Sequence, residues 1–294
     1  MLQERQERIA NDHTEFISFA ELKDTRKKMI LYKYASYDAG IKIIENNNIG
    51  FSQPHHFNDP FELEASYPSD NNENPVTATF NDIRRSAKKD TWKQNTAILS
   101  LSRQPLNPLM WAHYSGAHTG FVIGFDVAIE EFTCEESNLI PVQYGSVIYT
   151  NKKPDAPFLS NPEEPLEVGG AFNFRSDQIE RLQRKFLFKP ACWAYEEEVR
   201  IVKCIKGIED NKILPSGTFS EIEVQERPLY LLHLPKGAIK EVYMGVRLGE
   251  RTDMPIQGII AKIKQMQPGI KIFGCKISKH SWDLESCDIE KTSF

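Results

Sequence analysis

The stretch WAYEEEVRIV, Trp193–Val202, sets three consecutive glutamates between two aromatics and a β-branched run. In a strand, alternate side chains share a face, so Glu196, Glu198 and Arg200 line one side. Trp193, Tyr195, Val199 and Ile201 line the other, with Glu197 as the exception. Two carboxylates about 7 Å apart at the strand rise, followed by a guanidinium, can form a site. In a helix, Glu196 and Arg200 are an ordinary i,i+4 ion pair. A solvated network of these glutamates with Arg200 and Lys203 is the plainer alternative. Lys189 stands just ahead of the stretch.

Three more clusters carry groups capable of chemistry. LYKY, Leu31–Tyr34, sets Tyr32 and Tyr34 on one face of a strand and Lys33 on the other; strand packing is the plainer account of the aromatics. FNDPFE, Phe57–Glu62, presents Asn58, Asp59 and Glu62 on a turn, where Asp59 can also serve only to cap backbone donors. SLSR and WAHYSGAH bring Ser100, Ser102, Arg103, Trp111, His113, Tyr114 and His118. Five positions separate the two histidines, which neither stacks them on a helix nor matches HExxH metal spacing. There is no Walker loop, GxGxxG or GxSxG, and neither serine sits in a nucleophile elbow.

Positioning these groups falls to a mixed set of elements. MILYKYAS reads as a strand, YDAGIKIIENNN as a helix and IGFSQP as a short strand stopped by Pro54, an opening shorter than a usual βαβ unit. Residues 78–94 have helical spacing, TAILSLSRQ is a strand, and Pro108 opens a short helix through WAHY. GFVIGFDV and LIPVQYGSVIYT read as strands. Residues 151–170, with four prolines and two glycines, read as an exposed loop or lid, and 68–76 as an acidic insert. FNFRSDQIERLQRKFLF is an amphipathic helix ended by Pro190, which favours a strand over Tyr195–Ile205. After a polar loop come strands PLYLLHLP and IKEVYMG, a helix through PIQGIIAKIKQMQP and a closing strand KIFGCKIS. About nine strands with interspersed helices give an α+β fold. Residues 1–29 are expected to be a charged arm or helix, and 30–294 one domain.

The 294 residues allow a full core, and 40% hydrophobic with 26% charged residues is ordinary for a globular chain. A net charge of −5 gives no global field for nucleic acid, which leaves a local basic groove open. Five dispersed cysteines (Cys134, Cys192, Cys204, Cys275, Cys287) form no CxxC pair, so neither a zinc site nor a disulfide framework is indicated. Free thiols, a polar N-terminus and the lack of a long apolar run point to a cytoplasmic protein without a membrane span.

Taken in order, YKY, FSQPHHFNDPFE, LSLS, WAHYSGAHTGFVIGFD and KPACWAYEEEVR resemble the motifs of a large bacterial family of unknown function, over about Leu31 to Val202. More remotely, LYKY, Ser100-Leu101-Ser102 and Glu196-x-Glu198 resemble the three motif positions of ADP-ribosyltransferases. That resemblance implies a mostly antiparallel split β-sheet with flanking helices, and NAD as the donor of an ADP-ribosyl group. Its expected target is a nucleic acid or a protein, in a toxin or phage-defence setting. Glu198 would then stabilise the ribosyl cation, and Glu196 would orient the acceptor and act as base. Tyr34 and Tyr114 would stack on nicotinamide, Lys33, Arg103 and Lys189 would meet phosphate, and His113 would hold a ribose or nucleobase. The departure is that Lys33 or Tyr34 stands where arginine or histidine is usual, replacing a fork or imidazole with a point charge or phenol.

Two rival readings come from other classes. Asp59, Glu62, Glu196, Glu198, His113 and Lys189 include the groups a metal-dependent nuclease needs. A non-catalytic sensor or partner-binding module would instead use His113, Tyr114, Glu196 and Arg200 as a buried polar network.

Overall fold

Strand β1 (Ile30–Ala35) passes at once into helix α1 (Tyr37–Asn46), because Ser36 caps it. The Ser36 hydroxyl accepts from the Ala39 amide at 3.4 Å, and Asp38 lies in the first turn, where the helix dipole favours a carboxylate. Asn47, in left-handed backbone at φ 48°, ends the helix and releases β2 (Asn48–Ser52). The long helix α2 (Pro75–Asn95) starts with Asn74 as cap and Pro75 in its first turn, and leads into β3 (Thr96–Ser102). Asn107 caps the short helix α3 (Pro108–Tyr114), accepting from the amides of Leu109 and Met110, and β4 (Phe121–Asp126) follows.

The computed structural model describes residues 29–62, 74–154, 167–168, 171–172, 174–210 and 212–289. The remaining strands are β5 (Ile148–Thr150), β6 (Glu167–Val168), β7 (Ala171–Phe172), β8 (Phe188–Pro190), β9 (Glu198–Cys204), β10 (Ile213–Leu214), β11 (Gly217–Val224), β12 (Arg227–His233), β13 (Ile239–Met244), β14 (Lys271–Ile277) and β15 (Leu284–Asp288). Helix α4 (Ile179–Phe186) precedes β8, and α5 (Ile256–Met266) precedes β14. Among the described residues, eleven strands form one sheet in the order β10-β11-β12-β2-β3-β1-β4-β13-β14-β15, with β9 on β3. Its pairings are antiparallel except β13 with β14, so the fold is α+β with a mostly antiparallel sheet.

The sheet forks at β3. One edge of β3 pairs with β9 along its whole length, from Thr96–Cys204 to Ser102–Glu198. The other edge is shared: β1 meets it at Tyr32–Ser102 and β2 at Ser52–Ile98. Between those two contacts β1 and β2 splay apart, and the ladder is interrupted around Ser100. Lys33 reaches into the gap and donates from Nζ to the Ser100 carbonyl at 3.1 Å. A carbonyl that would otherwise join the ladder is thereby satisfied.

Period-two alternation divides the faces of β3 and β9. Ala97, Leu99, Leu101, Val199 and Ile201 join the main core with Ile44 of α1 and Ile259 and Ile263 of α5. Ile98 and Val202 pack on the other face against Leu182 and Phe186 of α4. Ser100, Ser102 and Glu198 share that second face with Arg200 and form the floor of the site.

Several sequence expectations are corrected. No strand runs from Tyr195: Ala191–Glu196 is a 3-10 helix, Glu197 adopts left-handed backbone at φ 44°, and the strand starts at Glu198. Proline-started short segments with alternating aromatics satisfy both periods, and here the local turn prevailed. LIPVQYGSVIYT is an irregular strip along the outer edge of β9 rather than one strand. Isolated bridges at Ile140–Val202 and Ser146–Val199 flank a 3-10 turn at Val142–Tyr144. Pro141 lacks the amide needed to continue a ladder. Helix α4 ends before Pro190, which lies in β8 instead. The polar stretches at β11 and β15 are strands that the sequence reading passed over. Most of the insert at 68–76 lies outside the described residues, while residues 74–76 open α2. The arm expected over 1–29 (apart from Met29) and much of the loop at 151–170 also lie outside them.

Candidate functional site

Glu196 and Glu198 come together through a turn, not through strand periodicity. The left-handed Glu197 reverses the chain, so that both neighbouring carboxylates meet the Lys189 ammonium, at 2.5 Å for Glu196 and 3.0 Å for Glu198. A third carboxylate arrives from the turn at 57–62: Glu62 Oε1 stands 3.4 Å from Lys189 Nζ and 2.8 Å from Arg200 Nη2. Arg200 donates from Nε to Glu198 Oε1 at 2.8 Å and from Nη2 to Glu198 Oε2 at 3.1 Å. Its remaining fork donates to the Phe186 carbonyl at 2.7 Å, a cation at the C-terminus of α4. Tyr114 donates to Glu196 Oε1 at 2.6 Å, and the Tyr149 hydroxyl accepts from the Glu198 amide at 2.8 Å.

Arg200 is fully buried, and Glu62, Lys189, Glu196 and Glu198 are each less than a tenth exposed. Burial opposes charge on Glu198, but Arg200 and Lys189 outweigh it, helped by the Ser100 hydroxyl, and hold the carboxyl well below its ordinary range. Burial likewise opposes charge on Lys189, and Glu198, Glu62 and Glu196 together hold its ammonium above the usual lysine range. Lys33 differs. Burial draws its ammonium below the ordinary value despite Glu198 and Glu196. The Tyr114 phenol is raised by burial and by its carboxylate partner.

These groups open onto one cleft of about 310 Å³ at the fork of the sheet. Lys33, Tyr34, Asn58, Glu62, Ser100, Ser102, Tyr114, Lys189, Glu196 and Glu198 all line it. Of the residues singled out from sequence, six are elsewhere or beneath it. Trp111 is core, its indole donating to the Pro105 carbonyl. His118 stacks on Trp111, and His113 is exposed on α3. His113 therefore has no part in the buried network that the sensor reading assigned to it. Arg103 bonds Ser146 at the surface, outside the cleft lining. Arg200 lies under the floor, and Asp59 caps the Phe61 amide at 2.9 Å. Tyr34 is largely committed: its hydroxyl donates to the Gln104 carbonyl and accepts from the Asn107 amide. The sequence reading missed Tyr149 and His56, neither of which stands in a distinctive pattern; His56 lines the cleft.

Residues 110–201 match DUF2971, a protein family of unknown function. No curated protein and no solved structure matches significantly. The DUF2971 span carries Tyr114, Lys189, Glu196, Glu198 and Arg200, while Lys33, Glu62, Ser100 and Ser102 come from the chain before it. The site is thus completed by β1, the 57–62 turn and β3 from outside the matched segment.

Three carboxylates around one point would attract a divalent ion, but the Lys189 ammonium already occupies that point. Among the described residues no group of three or more His, Cys, Asp and Glu has the geometry to hold a metal. Among the described residues, the buried Glu62 Oε2 and His56 Nε2 have no hydrogen-bond partner. Each belongs to a residue that lines the cleft, where a ligand donor would complete it.

Proposed function

We propose that the cleft binds an NAD-type dinucleotide by its nicotinamide ribose and that the chain is an ADP-ribosyltransferase-like enzyme acting on a macromolecular target. The observation that carries this reading is the pair of carboxyl groups Glu196 and Glu198 facing a cleft at the fork of a split sheet. LYKY and Ser100-Leu101-Ser102, which stand before the DUF2971 span, are the other two positions at which the sequence resembles that group. The cleft's residues fit a nucleoside: Glu62 Oε2 needs a hydroxyl or amide donor, Lys33 supplies a cation, and about 310 Å³ is at the lower end of small-ligand sites.

The bound dinucleotide supplies a glycosidic bond whose breakage leaves positive charge on the ribose and a neutral nicotinamide. Glu198, held ionised by Arg200 and Lys189, places fixed negative charge beside that ribose. Glu196 accepts from Tyr114 and Lys189 but keeps further acceptor capacity, so it takes the proton of the incoming hydroxyl or amine. The desolvated Lys33 contributes charge without the fork of an arginine.

A second reading rests on one specific observation: Glu198 already receives Arg200, Lys189 and Ser100, leaving it little capacity for a ligand. A cleft that binds without turnover would be built this way. Calorimetric titration with NAD⁺, followed by assay of nicotinamide release, separates the two. The transferase reading expects binding by the native chain and by Glu196→Gln, with release lost in Glu196→Gln. Binding without release in the native chain, across candidate acceptors, favours the non-catalytic module, and no binding sinks the dinucleotide reading.

A further inference from the structure

A second cleft, of about 530 Å³, adjoins the first, and Lys189 lines both. Its walls bring together groups that the proposed reaction does not use. Phe61 is 57% exposed on the wall of this cleft. Trp193 is half-buried, and its ring centroid lies 5.3 Å from the Lys189 ammonium. Lys152 and Lys153 are exposed beside them, with no carboxylate partner among the described residues; Lys153 Nζ lies 5.8 Å from the Phe61 centroid. Asp59 is 7% exposed, and its Oδ2 is buried with no partner among the described residues, although its Oδ1 caps the turn. An acceptor left open at that depth is completed by a ligand's N–H or O–H.

Aromatic faces for a flat ring, two cations for a phosphate and a buried carboxylate oxygen for a ring donor are the three parts of a nucleotide site. We infer that this second cleft binds a nucleoside phosphate, with its base against Phe61 and Trp193. Its phosphate meets Lys152 and Lys153, and a base N–H meets Asp59. Two sources present the same chemistry: the adenylate half of the dinucleotide in the first cleft, or a nucleotide of an acceptor strand. The inference rests on the proposed function only for that choice of source.

The test is calorimetric titration of the full chain with AMP and, separately, with a short single-stranded oligothymidylate. The variants are Phe61→Ala and the double substitution Lys152→Ala/Lys153→Ala, both at exposed positions that leave the fold intact. NAD⁺ is titrated into each as a third ligand. The expected result is that AMP or the oligonucleotide binds the native chain and is weakened at least about tenfold in both variants, the loss expected for a lost base stack. Parallel weakening of NAD⁺ identifies the adenylate half as the source. Oligonucleotide binding with NAD⁺ unaffected identifies an acceptor strand. If neither probe binds, or if binding ignores both variants, the inference is overturned, and NAD⁺ bound in the first cleft would survive that outcome. Conversely, AMP or oligonucleotide binding together with no nicotinamide release from NAD⁺ across candidate acceptors overturns the transferase reading alone.

Discussion

Glu198 and Arg200 stand two residues apart and are tied by two bonds, with Arg200 fully enclosed. A buried pair of this kind contributes little over a well-packed apolar pair, but removing one member leaves the other charge stranded. Glu198→Gln keeps the side-chain shape and deprives Arg200 of its main counter-charge. It is expected to lower the unfolding free energy by about 3–5 kcal/mol. Glu196→Gln leaves Lys189 with Glu198 and Glu62, and is expected to cost clearly less. Denaturant unfolding of the two variants checks the ranking, and a Glu198→Gln chain as stable as the native one would remove the network from the account. The carboxylates and cations of this network were legible in sequence as separate clusters. Their convergence was not, because Glu62 and Arg200 are 138 positions apart and no local pattern couples them. The WAHY segment shows the same limit: positions 111 and 114 of one helix point to core and site, and His113 between them points to solvent.

At the scale of elements, the floor of the site depends on what covers the outer edge of β9. The strip from Leu139 to Val147 does so: Arg200 donates its amide to the Gly145 carbonyl at 2.8 Å, and Val147 donates to the Glu198 carbonyl at 3.0 Å. The approach at Gly145 leaves no room for a side chain, since a methyl there would lie 1.9 Å from the Arg200 carbonyl oxygen. Gly145→Ala must therefore push the strip off the strand or shift Arg200 itself. Overpacking of this kind costs about 1–3 kcal/mol. Because Arg200 is what holds Glu198, the same substitution is expected to lower the melting temperature and, on the proposed dinucleotide reading, to weaken NAD⁺ binding as well. Loss of stability with unchanged ligand affinity would show that the strip supports the fold and not the site. Elements with a clear apolar face, such as β3, β4, α1 and α5, could be read from sequence alone. Strands β11 and β15 could not, since they lie at or near the sheet's edges and their residues are mostly exposed or half-buried, which leaves no clear alternation to detect. The fork at Ser100 was legible only through the order of motifs, because splaying of β1 from β2 is set by pairing partners far along the chain.

For the whole molecule, the clearest consequence of this burial is how stability depends on pH. Glu198, with its folded pKa depressed, adds stability above the ordinary carboxylate range, and this is lost as pH falls below it. Lys189, with its folded pKa raised, adds stability below the ordinary lysine value that is lost as pH rises beyond it. Lys203 works against both. It is 1% exposed, and its ammonium donates to the carbonyls of Ser137 at 3.2 Å and Ser216 at 2.8 Å, joining the end of β9 to the loop before the outer strip and to the turn before β11. Burial pushes it down to about 7, with Cys134 and Glu131 opposing. The unfolded chain therefore holds more protons than the folded one between about pH 7 and the ordinary lysine value of 10.5, so this group's cost shrinks as pH rises through that window. The slope is at most about 1.4 kcal/mol per pH unit for one proton. Lys203→Met fills the same space without a charge, and unfolding free energies compared between about pH 7 and about pH 9 isolate the term from every other titrating group. The native chain should gain on the variant steadily across that range. A constant difference between the two would mean that the three segments are joined by a lysine that keeps its proton, and that burial at this point is matched by the two carbonyls.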